Sequence, residues 1–182
     1  MVESKILINK KPIKYTGIFR IDELHAVLKR FFQERQFIQV EFKTNEVVKP
    51  SGKVFFLELM PYRKMSDYAK KQFHIEIYMH GLTQKVVEID GRKEQFDHAE
   101  ILVLSTLKMV TDWRQRFEGT GFYFLLRTFL DKFIRFDVIR EIEDEAVKDF
   151  MDLQGKLNEY LSAKRFKTTD PGGERMRVRE AE

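Results

Sequence analysis

The chain has 182 residues, of which 43% are hydrophobic and 17 are phenylalanine, and a formal net charge of +4. That length suits one domain, and so much apolar material excludes disorder for all but the ends and makes a disulfide or metal staple unnecessary. The lack of cysteine removes disulfides, thiolate catalysis and every cysteine-based zinc or iron–sulfur site, and makes a cytoplasmic location the simpler expectation.

Charge is unevenly placed. Residues 1–20 carry five Lys or Arg against one acid and residues 162–182 carry six against four, leaving 22 basic and 24 acidic residues between them. Basic ends on a near-neutral body suit either solubilising termini or contact with an acidic partner. The apolar run before Lys10 and Lys11 is too short for a signal-peptide core or a membrane span, so no membrane partner is expected.

Lys5 to Phe19 reads as a first strand, with Pro12 restricting it to a sheet edge or a break. From Ile21 the period changes: Ile21, Leu24, Leu28, Phe31 and Phe32 fall at helical spacing, and Asp22 and Glu23 sit where the positive end of the helix dipole favours them. Ile38, Val40 and Phe42 then alternate with polar residues, which predicts a half-buried strand. A turn at Lys49-Pro50-Ser51-Gly52 returns the chain through Phe55, Leu57 and Leu59, with Pro61 expected to end that strand or to place a bulge in it.

After a polar stretch from Arg63 to Lys71, Phe73, Ile75, Ile77 and Met79 alternate with His74, Glu76, Tyr78 and His80, and Gly81 is expected to close the strand. Asp90-Gly91 supplies the positive φ values of a tight hairpin. Ile101 to Val110 follows as a central strand with apolar groups on both faces. An irregular segment around Trp113, Gly119 and Gly121 leads to an apolar stripe from Phe122 to Phe133, expected as a buried helix. A final helix is predicted over Asp137 to Ala163, and the charged segment 164–182 is expected to be a disordered tail.

His74, Glu76 and His80 come nearest to a metal set, but six residues along a strand span about 20 Å, too far for one cation. The carboxylates Glu141, Glu143, Asp144 and Glu145 read as the solvated face of the last helix. His25 and His98 have no nucleophile or second base at a meaningful spacing, so no catalytic residue, cofactor or metal ligand is assigned. Tyr15, Tyr62, Tyr68 and Tyr78 beside Lys10, Lys11, Lys14, Arg63 and Lys64 are the materials of a nucleic-acid or partner contact, although without a recognisable RNA-binding motif. Phe73, Ile75, Ile77, Ile101, Val103, Phe150 and Leu153 would line an apolar pocket between sheet and last helix, or else make an ordinary core.

The blocks GIFRIDELHAVLKRFFQERQF, QFHIEIYMHGL and TDWRQRFEGTGFYFLLRTFLDKFI together resemble a family of small archaeal proteins of unknown function, over roughly residues 12 to 163. That resemblance implies a cytoplasmic archaeal protein and the element order strand, helix, antiparallel sheet, helices, and it carries no activity or site residue with it. The combined expectation is one α+β domain over residues 1–163, with a single antiparallel sheet of about five or six strands and amphipathic helices packed mainly on one face, in the helix-grip manner. The expected function is non-enzymatic binding or assembly with a protein or ribonucleoprotein partner. The alternative is a carrier or sensor of a small apolar ligand.

Overall fold

The computed structural model describes residues 3–38, 41–49, 52–89, 92–111 and 136–165. The irregular segment around Trp113, the helix expected from Phe122 to Phe133, the turn residues Pro50, Ser51, Asp90 and Gly91, and the chain from residue 166 onward lie outside the described residues. Six strands, β1 (Glu3–Phe19), β2 (Glu41–Lys49), β3 (Gly52–Leu59), β4 (Tyr62–Lys64), β5 (Ala69–Ile89) and β6 (Arg92–Thr111), form one open antiparallel sheet in the order β1-β6-β5-β3-β2. The short β4 continues the line of β3 along β5, pairing Tyr62 with Gln72 and Lys64 with Lys70. Two helices complete the described chain, α1 (Ile21–Glu34) and α2 (Phe136–Arg165). The class is therefore α+β with a single sheet.

Side-chain alternation sorts the two faces of the sheet. On β5, residues 69, 71, 73, 75, 77 and 79 are buried, while residues 70, 72, 74, 76 and 78 are half-buried. Of the buried set, Phe73, Ile75, Ile77 and Met79 share one cluster with Leu24, Leu28, Phe31 and Phe32 of α1 and with Ala146, Phe150, Leu153 and Leu157 of α2. Both described helices therefore lie on the same face, and burial of each large apolar side chain contributes roughly 1.5–3 kcal/mol. At the centre, the Phe73 ring is stacked on Phe150 at 6.1 Å and edge-on to Phe32 and Phe37 at 5.5 and 5.3 Å. On central strand β6, Ile101, Val103, Leu107 and Met109 are buried, whereas Leu102 and Leu104 on the opposite face are only half-buried.

Several local readings are corrected. Gly81 does not close β5, because at φ +64° it accommodates an extra residue between His80 and Thr83 and the strand runs on to Ile89. Of the two readings of Pro12 the edge holds and the break does not: β1 is an edge strand and pairs with β6 through Pro12, opposite Leu104. The irregularity in β1 falls earlier, where Lys10 takes φ +40° and its N–H donates to Thr106 Oγ1 at 3.1 Å. Ile38 stands outside β2 as an isolated bridge to Tyr62, β4 interrupts the expected polar stretch, and α2 extends through Lys164 and Arg165.

The start of α1 is held by residues distant in sequence. Arg20 offers no side-chain cap, and the Ile21 N–H donates instead to Asp97 Oδ2 of β6 at 3.1 Å. The Tyr160 hydroxyl of α2 donates to the Arg20 carbonyl at 2.9 Å, and burial pushes its pKa well above the ordinary tyrosine value. At the other end Gln36 adopts φ +58°, and the Phe37 and Gln36 N–H groups close on the Phe32 and Gln33 carbonyls.

Charge completes the attachment of α2. Lys71 of β5 is fully buried yet points toward α2, with its ammonium 2.5 Å from Asp149 and 2.8 Å from Glu145. Arg35, just after α1, reaches Asp149 at 2.9 Å and Asp152 at 2.6 Å, with its guanidinium over the Phe31 ring. Removing Asp149 takes from the fully buried Lys71 its nearer partner and leaves it only the exposed Glu145, and breaking a buried pair in this way costs about 3–5 kcal/mol. In urea unfolding, Asp149→Leu is expected to lose stability of that order, and Lys71→Met/Asp149→Leu to be more stable than Asp149→Leu. A double variant no better than the single one would show that the pair is not coupled.

Candidate functional site

The described residue set contains a cleft where α1 crosses β3 and β5. Register puts Phe55 opposite Met79 and Leu57 opposite Ile77, so neighbouring strands form a four-residue apolar floor. Leu24 and Leu28, one helical turn apart on α1, form the roof together with Ile21. At the mouth stand Asp22 and His25 of α1 and Thr44 of β2. The cavity measures about 170 Å³ and is partly open to solvent.

Its origin is local. Residues 43–48 of β2 are all exposed, so this outermost strand extends past the cover that α1 provides. Leu24, Leu28, Ile77 and Met79 are almost fully buried, and the polar groups stand only at the rim. Asp22 and His25 are exposed, and neither is held by a hydrogen bond or ion pair to another described residue. Such an arrangement can take up a compact apolar body and leave a polar end in contact with the rim.

The residues named for an apolar pocket lie mostly elsewhere. Phe73, Ile75, Ile101, Val103, Phe150 and Leu153 are packed in the core with 0–1% exposure, and of the seven named residues Ile77 lines the cleft. Sequence reasoning does not single out the floor and roof residues Leu24, Leu28, Phe55, Leu57 and Met79 as a site. Their apolar spacing is visible, but the alignment of Phe55 with Met79 depends on how β3 pairs with β5.

The basic residues do not converge on one patch. Lys10 lies 3.4 Å from Glu76, and Arg63 lies 3.4 Å from Glu145, so both meet acids of the same chain. Lys11 reaches Met151 of α2, Lys14 is exposed opposite Leu102, and Lys64 belongs to β4. The edge strand β1 is separated from β4 by β6 and β5, roughly 14 Å at the usual strand spacing. Among the tyrosines, Tyr15 is buried with its hydroxyl donated to the Ile18 carbonyl; an added Cβ at Gly17 would come within 2.7 Å of that hydroxyl.

The His74 ring contacts Glu58 at 2.6 Å, Tyr78 donates to Glu76 at 3.2 Å, and His80 is exposed. Burial, with Glu76 and Glu58 nearby, raises the Tyr78 pKa. Among the described residues no group of three or more His, Asp or Glu is arranged to hold a metal ion. The acids expected on a solvated face divide, since Glu143 pairs with Lys5 at 2.7 Å and Glu145 with Lys71, while Glu141 and Asp144 are exposed.

No protein-family model matches the sequence, and no curated protein matches it. No helix among the described residues is long and apolar enough to cross a membrane.

His98, opposite Thr83 on β5, is held neutral chiefly by burial and secondarily by the Lys85 charge, so its pKa lies below the ordinary value near 6.5. The unfolded chain therefore takes up this proton first as pH falls. The contribution is fully present above about pH 6.5 and is lost as pH falls through the folded-state value. Imidazole NMR titration is expected to show His98 titrating below the ordinary histidine value near 6.5; a midpoint at or above that value would contradict the assignment.

Proposed function

We propose that this chain is a non-enzymatic binding protein and that the cleft between α1 and the β3–β5 ladder holds a small apolar ligand. The observation that carries this reading is the cavity of about 170 Å³, floored and roofed by aliphatic and aromatic side chains. Its size sets the class of ligand. Drug-sized ligands occupy roughly 300–1,000 Å³, whereas an apolar cavity of roughly 150 Å³ accommodates benzene. A short alkyl chain or a single ring therefore fits, with any longer portion emerging at the mouth. The two helices on one face of an antiparallel sheet support a helix-grip-like carrier or sensor.

A second reading, a protein or ribonucleoprotein partner, is favoured by the outer end of the sheet. The β2–β3 and β5–β6 hairpins point the same way and present Val47, Val48 and Val86 with 52%, 74% and 67% exposure. Strand β2 also offers an edge for pairing. An RNA component would engage exposed Lys11 and Lys14 and lose affinity steeply as salt rises.

Thermal unfolding with 1-hexanol as probe tests the cleft. At a hundred times the dissociation constant, binding adds about 2.7 kcal/mol, equivalent to a rise of roughly 5–10 °C for a chain of this size. Leu28→Phe fills the cavity and is expected to abolish the rise while the far-ultraviolet circular dichroism stays native. An unchanged midpoint in the wild-type protein, or an equal rise in folded Leu28→Phe, would overturn the proposal.

A further inference from the structure

We infer that the cleft prefers amphiphiles with a cationic, hydrogen-donating head, such as a short primary amine, over those ending in a carboxylate. This inference rests on the cleft reading and adds the chemistry of its mouth. The walls are apolar, so the discriminating groups are Asp22, His25 and Thr44. Asp22 and His25 are three residues apart on α1 and face the same side, with Thr44 across from them on the edge strand. A head group on a ligand seated between Leu24 and Leu57 must emerge among these three side chains.

The charge at that exit is the deciding feature. Asp22 presents a carboxylate that no other described residue holds by a hydrogen bond or ion pair. An ammonium head meets it as an opposite charge and can also donate to the Thr44 hydroxyl or to a ring nitrogen of His25. A carboxylate head meets it as a like charge. The N-terminus of α1 works in the opposite sense, because a helix start carries about half a positive charge. That half charge is answered without Asp22: the Ile21 N–H is taken by Asp97, and Glu23 also lies in the first turn. A full negative charge at the mouth therefore outweighs the residual dipole. Because the mouth is exposed, the selectivity is modest, roughly three- to tenfold between amine and carboxylate of equal chain length.

The test compares hexylamine, 1-hexanol and hexanoate at one ionic strength near neutral pH, with dissociation constants from NMR titration of the Leu and Ile methyl groups. In the wild-type protein hexylamine is expected to bind at least threefold more tightly than hexanoate, with 1-hexanol between them. Asp22→Asn is expected to bring the amine-to-carboxylate ratio within twofold of unity. Asp144→Asn, an exposed acid on α2, should leave that ratio as it was. If 1-hexanol binds but the three heads rank equally, or hexanoate binds best, the head-group inference falls and the cleft reading stands. Equal loss of the ratio in both variants would also overturn it, since long-range charge and not the mouth would then be responsible. If none of the three binds, both fall together.

Discussion

The buried ammonium of Lys71 joins the layers of this protein. It occupies a position on β5 in phase with Phe73, Ile75 and Ile77, and so faces the helices from within an apolar surface. A cation there is tolerable only because α2 brings Asp149 and Glu145 within 2.8 Å of it. The constraint is reciprocal: Asp149 is itself largely buried, and Arg35 supplies its second partner from just beyond α1. The arrangement sets the register of α2 against the sheet more narrowly than apolar packing could, because sliding α2 by one turn would leave charges buried and unpaired. Stacking of Phe73 on Phe150 is consistent with that one register.

With α2 held in that way, α1 is positioned by its two ends. Asp97 of β6 and Tyr160 of α2 hold its start, and the turn at Gln36 and Phe37 stops it and brings Arg35 to α2. The first two turns of α1 stand over the β3–β5 ladder, and the exposed residues 43–48 of edge strand β2 lie beyond their cover. The cleft opens there, between Ile21, Leu24 and Leu28 above and the floor of Phe55, Leu57, Ile77 and Met79 below. Exposed residues on the outer hairpins belong to the same uncovered end.

Much of the architecture was legible locally. The alternation from Phe73 to Met79 and the 3–4 spacing from Ile21 to Phe32 each depend on neighbours within a few residues, and the strand and helix they predict are present. What went astray depended on distant partners. Gly81 resembles a terminator in isolation, yet β6 continues on one side and turns it into a bulge. Lys71 resembles the end of a polar stretch until two acids more than seventy residues away neutralise it. Asp149 and Asp152 read as ordinary polar positions on a helix, with nothing nearby to mark them as partners of Arg35.

The same division applies to the site. Composition, periodicity and turn residues determined by themselves that this chain folds as an α+β domain, with an antiparallel sheet, an amphipathic helix after the first strand and a long helix near the end. Only the tertiary structure decided which buried side chains line a cavity and which fill the core, because both sets have the same apolar character. That choice follows from strand register and from how the first turns of α1 are seated on the sheet. Both are set by contacts between residues far apart along the chain, such as Phe55 with Met79 and Ile21 with Asp97.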